Sequence, residues 1–197
     1  ALSSAASDVY KRQIVDGTVV PVVCCSSITR VGLAKLLDNV NDLMPSPAGT
    51  EKEGVDKAGN PDKRICAEDQ PFSAQVFKTL ADPFVGKVSY IKVISGKVAP
   101  DSQLVNMRTG NTERIGKVVV MRGKKQEDVS AITAGDIGAV LKLSGVNTGD
   151  TLCAPTRKVV LDGVSYPNPT LSMAIAPKTK GEEDKVAQGI FLSLIHI

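Results

Sequence analysis

Residues 74–80, AQVFKTL, and 87–94, KVSYIKVI, decide how this chain is read. Both are short runs rich in Val, Ile and Leu, and they are separated by the turn pair Asp82-Pro83. The same texture continues in QLVNM at 103–107, IGKVVVM at 115–121 and IGAVLKL at 137–143. Turn signals stand between them: Ser95-Gly96, Thr109-Gly110-Asn111, Arg122-Gly123, Ala134-Gly135-Asp136 and Thr148-Gly149-Asp150. Short apolar strands with frequent turns predict a closed antiparallel β-barrel, here over 71–162. A stretch of that size can bury one small core.

Working outward toward the N-terminus, residues 48–70 are polar, with Gly, Pro and mixed charge and no periodicity. They read as a linker or surface excursion, with Cys66 a bystander within it. Before the linker, TVVPVV at 18–23 reads as a short strand, with Pro21 favouring an edge. Cys24-Cys25-Ser26-Ser27 follows as a small-residue turn. Val31, Leu33, Leu36, Leu37, Val40 and Leu43 then recur at steps suited to one helix face. Ser27 or Thr29 is the expected N-cap, and Pro45-Ser46-Pro47 is the stop. Strand, turn, helix and stop make the last βα unit of an α/β domain, at 14–47. Toward the C-terminus, residues 163–191 predict a strand at 170–176. A helix from Gly181 follows, with Glu182, Glu183 and Asp184 at its positive end.

The extreme ends read differently. Asp8-Val9-Tyr10-Lys11-Arg12-Gln13 can be encoded as GAT GTG TAT AAG AGA CAG. The reverse complement of that string translates as Leu192-Ser193-Leu194-Ile195-His196-Ile197, the last residues of the chain. One inverted DNA repeat therefore accounts for both termini, and it resembles the transposon end used in preparing sequencing libraries. Residues 1–13 and 192–197 are expected to be adaptor translation and are set aside from fold reasoning. His196, the sole histidine, goes with them and is not a catalytic candidate.

Composition narrows the classes. The chain has 197 residues, 24 basic and 21 acidic, for a net charge of +3. Hydrophobic residues make up 42% and aromatics 4%, the balance of a globular and not a disordered chain. A charge this small does not by itself indicate a nucleic-acid binder, so any RNA contact needs a local basic patch. Cys24, Cys25, Cys66 and Cys153 form no C-x-x-C pair, and reduced thiols in a cytoplasmic protein are expected. No apolar run is long enough for a membrane span, and no secretory signal opens the chain.

The ordered set of motifs carries a family resemblance. The segment from Pro21-Val22-Val23-Cys24-Cys25-Ser26-Ser27 through Gly32-Leu33 to Met44-Pro45-Ser46-Pro47 resembles the end of the GTPase domain of bacterial elongation factor G. Pro71-Phe72-Ser73-Ala74, Asp82-Pro83-Phe84-Val85-Gly86-Lys87 and Ser95-Gly96 are similar to its second domain. So are Glu113-Arg114-Ile115-Gly116, Ala134-Gly135-Asp136-Ile137 and Thr148-Gly149-Asp150-Thr151-Leu152. Ile175-Ala176-Pro177-Lys178-Thr179-Lys180 resembles the start of the third domain, of α+β type. Arg122-Gly123-Lys124-Lys125-Gln126 is closer to the elongation-factor-G-like paralogues of Firmicutes.

The resemblance implies an interior fragment of a cytoplasmic, monomeric translational GTPase that promotes tRNA–mRNA translocation. Its parent would use GTP and Mg. It implies that the main chain at Ser26 and Ser27 faces the guanine base, where a carboxylate would repel the base oxygen. Cys25 stands where the family often has Gly. It also implies that the barrel docks on small-subunit ribosomal RNA. Arg122, Lys124 and Lys125 are the densest basic cluster for phosphate contact, followed by Lys87, Arg108 and Arg114. Phe84 is expected as a core plug or interdomain contact.

The chain has no phosphate loop of the form G-x-x-x-x-G-K-[ST]. Around Gly86-Lys87, Ala81 and Val88 occupy the positions that need Gly and Ser or Thr. The fragment is therefore expected not to hydrolyse GTP, because phosphoryl transfer needs those parts together. The other readings are a ribosomal-protection or peptide-release GTPase with the same front architecture, and a free-standing RNA-binding barrel. The βα unit at 21–43 speaks against the last.

Overall fold

The computed structural model describes residues 4–82, 85–123, 125–143, 145–163 and 167–196. They form two compact units, 1–47 and 48–197. Phe84 and Lys124 lie outside the described residues.

The first unit holds two helices, α1 (Ser4–Val15) and α2 (Leu33–Leu43). The strand expected at 18–23 does not form. The segment is open backbone with no ladder partner among the described residues, and Val22 is 88% exposed. β-branched residues favour a strand only when a neighbour takes up their backbone hydrogen bonds. Helix α2 appears on the predicted face, but none of its residues is buried. Its N-cap is Gly32, with φ 76 and no side-chain cap, rather than Ser27 or Thr29. The stop is as read: Met44 turns extended and donates its N–H to the Val40 carbonyl at 3.3 Å, ahead of Pro45.

The second unit is mainly β. Its strands are β1 (Glu51–Val55), β2 (Pro61–Ile65), β3 (Ser73–Asp82), β4 (Gly86–Ser95), β5 (Lys97–Val98), β6 (Gln103–Asn106) and β7 (Thr112–Arg114). Next come β8 (Val118–Arg122), β9 (Lys125–Asp128), β10 (Ile132–Thr133), β11 (Ile137–Leu141), β12 (Thr151–Cys153) and β13 (Val160–Leu161), and then helix α3 (Glu183–His196). An eight-stranded antiparallel sheet runs β7-β6-β12-β3-β4-β11-β8-β9, and a separate ladder joins β5 to β10. Phe72, Val76, Ile91, Val98, Leu104, Ile132, Val140 and Leu152 share one buried cluster. Leu104 of β6 and Val140 of β11 stand well apart in the ladder order, and Val98 and Ile132 come from the separate β5–β10 ladder, so the sheet curls round a common interior. The described ladder runs from an edge at β7 to an edge at β9, so its hydrogen bonds do not by themselves close a barrel.

Gly96 makes the corner between β4 and β5. Its φ is 70, and a Cβ there would lie 2.5 Å from the Gln70 carbonyl oxygen and 2.7 Å from Phe72 Cα. Only glycine lets the chain turn that tightly against the start of the domain.

The linker reading of 48–70 is overturned. Strands β1 and β2 pair antiparallel over their full length, and β13 adds to β1. The turn is held by Asp56, whose carboxylate accepts from the Ala58 and Asn60 amides at 2.8 and 2.9 Å and from Asn60 Nδ2 at 3.0 Å. The Asn60 side chain, its amide and the other turn donors hold the Asp56 carboxyl below its usual range. The strands escaped sequence reading because only Gly54 and Arg64 of their residues are buried, which leaves no apolar alternation to see. Cys66 is buried beside this hairpin.

Arg64 is 1% exposed. Its Nη2 donates to the Arg157 carbonyl at 3.0 Å and lies 3.3 Å from Asp62 Oδ2, while Arg157 Nη2 donates to Asp62 Oδ1 at 2.7 Å. Burial pulls the guanidinium pKa down from its usual value.

The strand expected at 170–176 is also absent. Those residues have no ladder partner among the described residues, and Leu171, Met173 and Ile175 are exposed. Helix α3 begins with Glu183 and Asp184 in its first turn, as its charge pattern predicted. It runs on past Phe191 through 192–196.

Candidate functional site

The first candidate is the loop from Cys24 to Gly32. The Ser26 amide donates to the Val31 carbonyl at 2.9 Å, and the Ser26 hydroxyl accepts the Thr29 amide at 3.3 Å. Arg30 and Gly32 both take positive φ, 62 and 76, and together they fold the loop back on itself. A Cβ on Gly32 would run into the Cys24 carbonyl oxygen and lie 3.2 Å from Cys25 Cα. The close approach in this loop is made by the bare Cα of Gly32, which lies opposite Cys24 and Cys25.

Of the two serine amides read as facing the base, that of Ser26 is already engaged within the loop. Ser27 is exposed, and its amide has no hydrogen-bond partner among the described residues. The loop therefore leaves one of the two serine amides open, that of Ser27.

Gly86-Lys87 does not fit a phosphate loop. Gly86, with φ 84, opens strand β4 and not a helix. Lys87 Nζ donates to Asn147 Oδ1 at 3.2 Å. Burial pushes the Lys87 ammonium pKa down, with Arg108 adding to that effect and Asp150 opposing it. Val88 follows where a hydroxyl for Mg would be needed.

The second candidate is the β8–β9 hairpin. Arg122 and Lys125 face each other across its tip in the register, and Gly123 turns with φ 60. Arg122 Nε pairs with Glu127 Oε2 at 3.1 Å in the open, whereas Lys125 is exposed with no ion pair among the described residues. β9 is exposed along its whole length. The third member of the patch, Lys124, lies outside the described residues.

The remaining basic candidates are neutralised locally. Arg114 Nη2 pairs with Asp101 at 2.8 Å. Arg108 belongs to a buried hub that the sequence presented only as a turn. Asp150, buried at the start of β12, accepts Arg108 Nε at 2.6 Å and Nη2 at 3.0 Å. It also accepts Asn106 Nδ2 at 2.8 Å and the Asn147 amide at 2.9 Å. Burial alone would raise the Asp150 carboxyl pKa. The bonds from Arg108, Asn147 and Asn106 outweigh it and leave the net shift downward. Arg108 gains the reciprocal upward shift, chiefly from its bond to Asp150. The signal in the sequence was the Asp that ends Thr148-Gly149-Asp150, a residue type that caps turns with its own carboxylate.

This sheet, with its hub and corner glycine, has relatives. Residues 71–155 match the family model of elongation factor G domain 2. Within the sheet domain, the segment 71–155 belongs to that family. Elongation factor G of Dehalococcoides mccartyi is 36% identical over 182 residues, which is 91% of this chain and 26% of the relative. The chain thus spans about a quarter of the length of that relative. A solved structure from Thermus thermophilus superposes with a TM-score of 0.78 at 23% identity, covering all of this chain and 27% of that one. At that identity the likeness speaks for the fold. The family resemblance read from the ordered motifs is thereby borne out. Among the described residues no helix is long and apolar enough to cross a membrane.

Proposed function

We propose that the chain is part of a ribosome-associated translational GTPase that promotes tRNA–mRNA translocation. In this reading its sheet domain, taken as a closed barrel, docks on small-subunit ribosomal RNA in the cytoplasm. The observation that carries this is the similarity to elongation factor G, which extends on both sides of the domain 2 match. Residues 14–47 are the end of the GTPase domain, 71–162 the barrel and 163–191 the opening of a third domain, with adaptor translation at either end. Residues 48–70 belong structurally with the sheet domain as its first hairpin.

The parent's GTP and Mg supply the phosphoryl chemistry that switches domain orientation. In this chain the exposed Ser27 amide, beside Ser26, faces the guanine oxygen. The phosphate and metal contacts come from outside this chain, which therefore does not turn over GTP by itself. Steady GTP hydrolysis by the purified chain would contradict this.

Lys125, with Arg122 and Lys124, supplies the phosphate contacts of the barrel. The isolated exposure of Lys125 favours it over Arg108 and Arg114, which hold carboxylates. Binding to small ribosomal subunits is expected to weaken steeply with salt. Charge reversal of Lys124 and Lys125 is expected to lower affinity and flatten that dependence. Unchanged affinity would remove the hairpin from the interface.

A further inference from the structure

We propose that the outer face of β3, β4 and β11 binds single-stranded RNA by stacking a base on Phe77 and Tyr90. The face follows from the pleat. Ile91 and Val93 point into the large core, so Tyr90 and Lys92 point the other way. The β3–β4 register steps from Val76↔Ile91 to Lys78↔Tyr90, leaving Phe77 as the extra residue of a bulge. A bulge re-aims a side chain, and here it turns Phe77 outward while its neighbours stay paired.

The Phe77 and Tyr90 rings lie 6.2 Å apart at 54°, a tilted pair. Tyr90 is seated on Val88, Val119, Ala139 and Leu141, which fixes its position, whereas Phe77 is 41% exposed. Helix α3 also lies beside β3 and leaves Phe77 that open.

Charge selects the partner. Strands β4 and β11 contain no Asp or Glu, and the single carboxylate of β3 is Asp82 at its far end. Lys78 and Lys92 flank the rings, with Lys92 Nζ anchored on the Gly135 carbonyl at 2.6 Å. An aromatic pair with lysines, on strands whose single carboxylate is Asp82, suits a base and its phosphate. Small β-barrels present oligonucleotide sites on such faces. The inference rests on the reading of this domain as RNA-facing, but it places a contact on a different surface from the β8–β9 hairpin.

The test is fluorescence anisotropy of the full chain with a labelled ten-nucleotide single-stranded oligoadenylate, and with the same strand in a duplex. The single strand is expected to bind more tightly than the duplex. Phe77→Ala and Phe77→Leu should each weaken it about tenfold, the scale of losing one stacked base. Lys78→Ala should cost a few-fold and lower the salt slope, while Lys52→Ala on β1 should change nothing.

Phe77→Leu is the discriminating arm, because it keeps an apolar side chain and removes the π face. Wild-type affinity in that variant would overturn the proposal in favour of an apolar protein contact. Equal affinity for duplex, or no binding by the wild-type chain, would overturn it outright. Should Phe77→Ala lose its sheet signal in circular dichroism, the Leu and Lys78 variants decide. Docking on ribosomal subunits fails or survives separately, through the Lys124 and Lys125 reversals.

Discussion

The two units of this chain respond to the same physical rule in opposite ways. In the sheet unit, apolar residues of distant strands converge on one interior, and Val76, Ile91 and Leu152 are fully buried. In the first unit, α2 carries an equally regular apolar face, yet none of its residues is buried and Leu37 is 59% exposed. Periodicity states which side chains want burial. It does not supply the surface that buries them. The sheet unit carries its own partner surfaces, so its stability should reside there.

The largest effect should separate the units outright. Ile91→Ala is expected to cost about 3–4 kcal/mol in urea unfolding, the range for truncating a fully buried aliphatic. Leu37→Ala should stay within about 0.5 kcal/mol, as surface changes do. Equal losses at the two sites would break the comparison.

The Asp150 hub comes next. Asp150→Ala is expected to cost about 2–4 kcal/mol, because Asn106 and the Asn147 amide lose their acceptor inside the domain. The pH dependence has a definite sign. The folded carboxyl pKa is depressed, so its contribution is full above the ordinary value of about 3.9 and is lost as pH falls through the lower folded value. Acid unfolding followed by circular dichroism should show a slope in that window, and Asp150→Asn should flatten it.

Removing 1–47 sharpens the contrast further. The unfolding midpoint and denaturant slope of the remaining 48–197 should match those of the whole chain, since both report the surface exposed by the sheet unit. A lowered midpoint would assign part of the sheet's stability to the first unit. The smallest effect belongs to the exposed Arg122–Glu127 pair. Arg122→Ala should change stability by less than about 0.5 kcal/mol, even though the hairpin is the proposed RNA contact. A loss of ribosomal-subunit binding with unchanged stability would separate interface from scaffold.

Legibility in the sequence followed burial. The runs at 74–80, 87–94 and 137–143 were found because they build the core, where Val and Ile recur between turn residues. The β1–β2 hairpin was missed because its strands are held by backbone pairing and by Asp56, with almost no buried side chain. The strands expected at 18–23 and 170–176 were over-read for the converse reason: their β-branched and apolar residues have no neighbouring strand among the described residues. At the candidate sites, Ser26-Ser27 and the hairpin basics were legible as motif positions. Their availability was not, because only the folded chain shows that the Ser26 amide is engaged by Val31 while Ser27 is left open.

The sequence by itself determined the family, the antiparallel β character and the turn positions, because these rest on local residue types and their order. Tertiary structure alone decided which basic residues carry free charge, which glycine takes the close approach, and that Phe77 leaves the ladder beside Tyr90. Those outcomes depend on pairings between residues distant in the chain, such as Arg108 with Asp150 and Gly96 with Gln70. A list of residues in order does not contain such distances until the chain has folded.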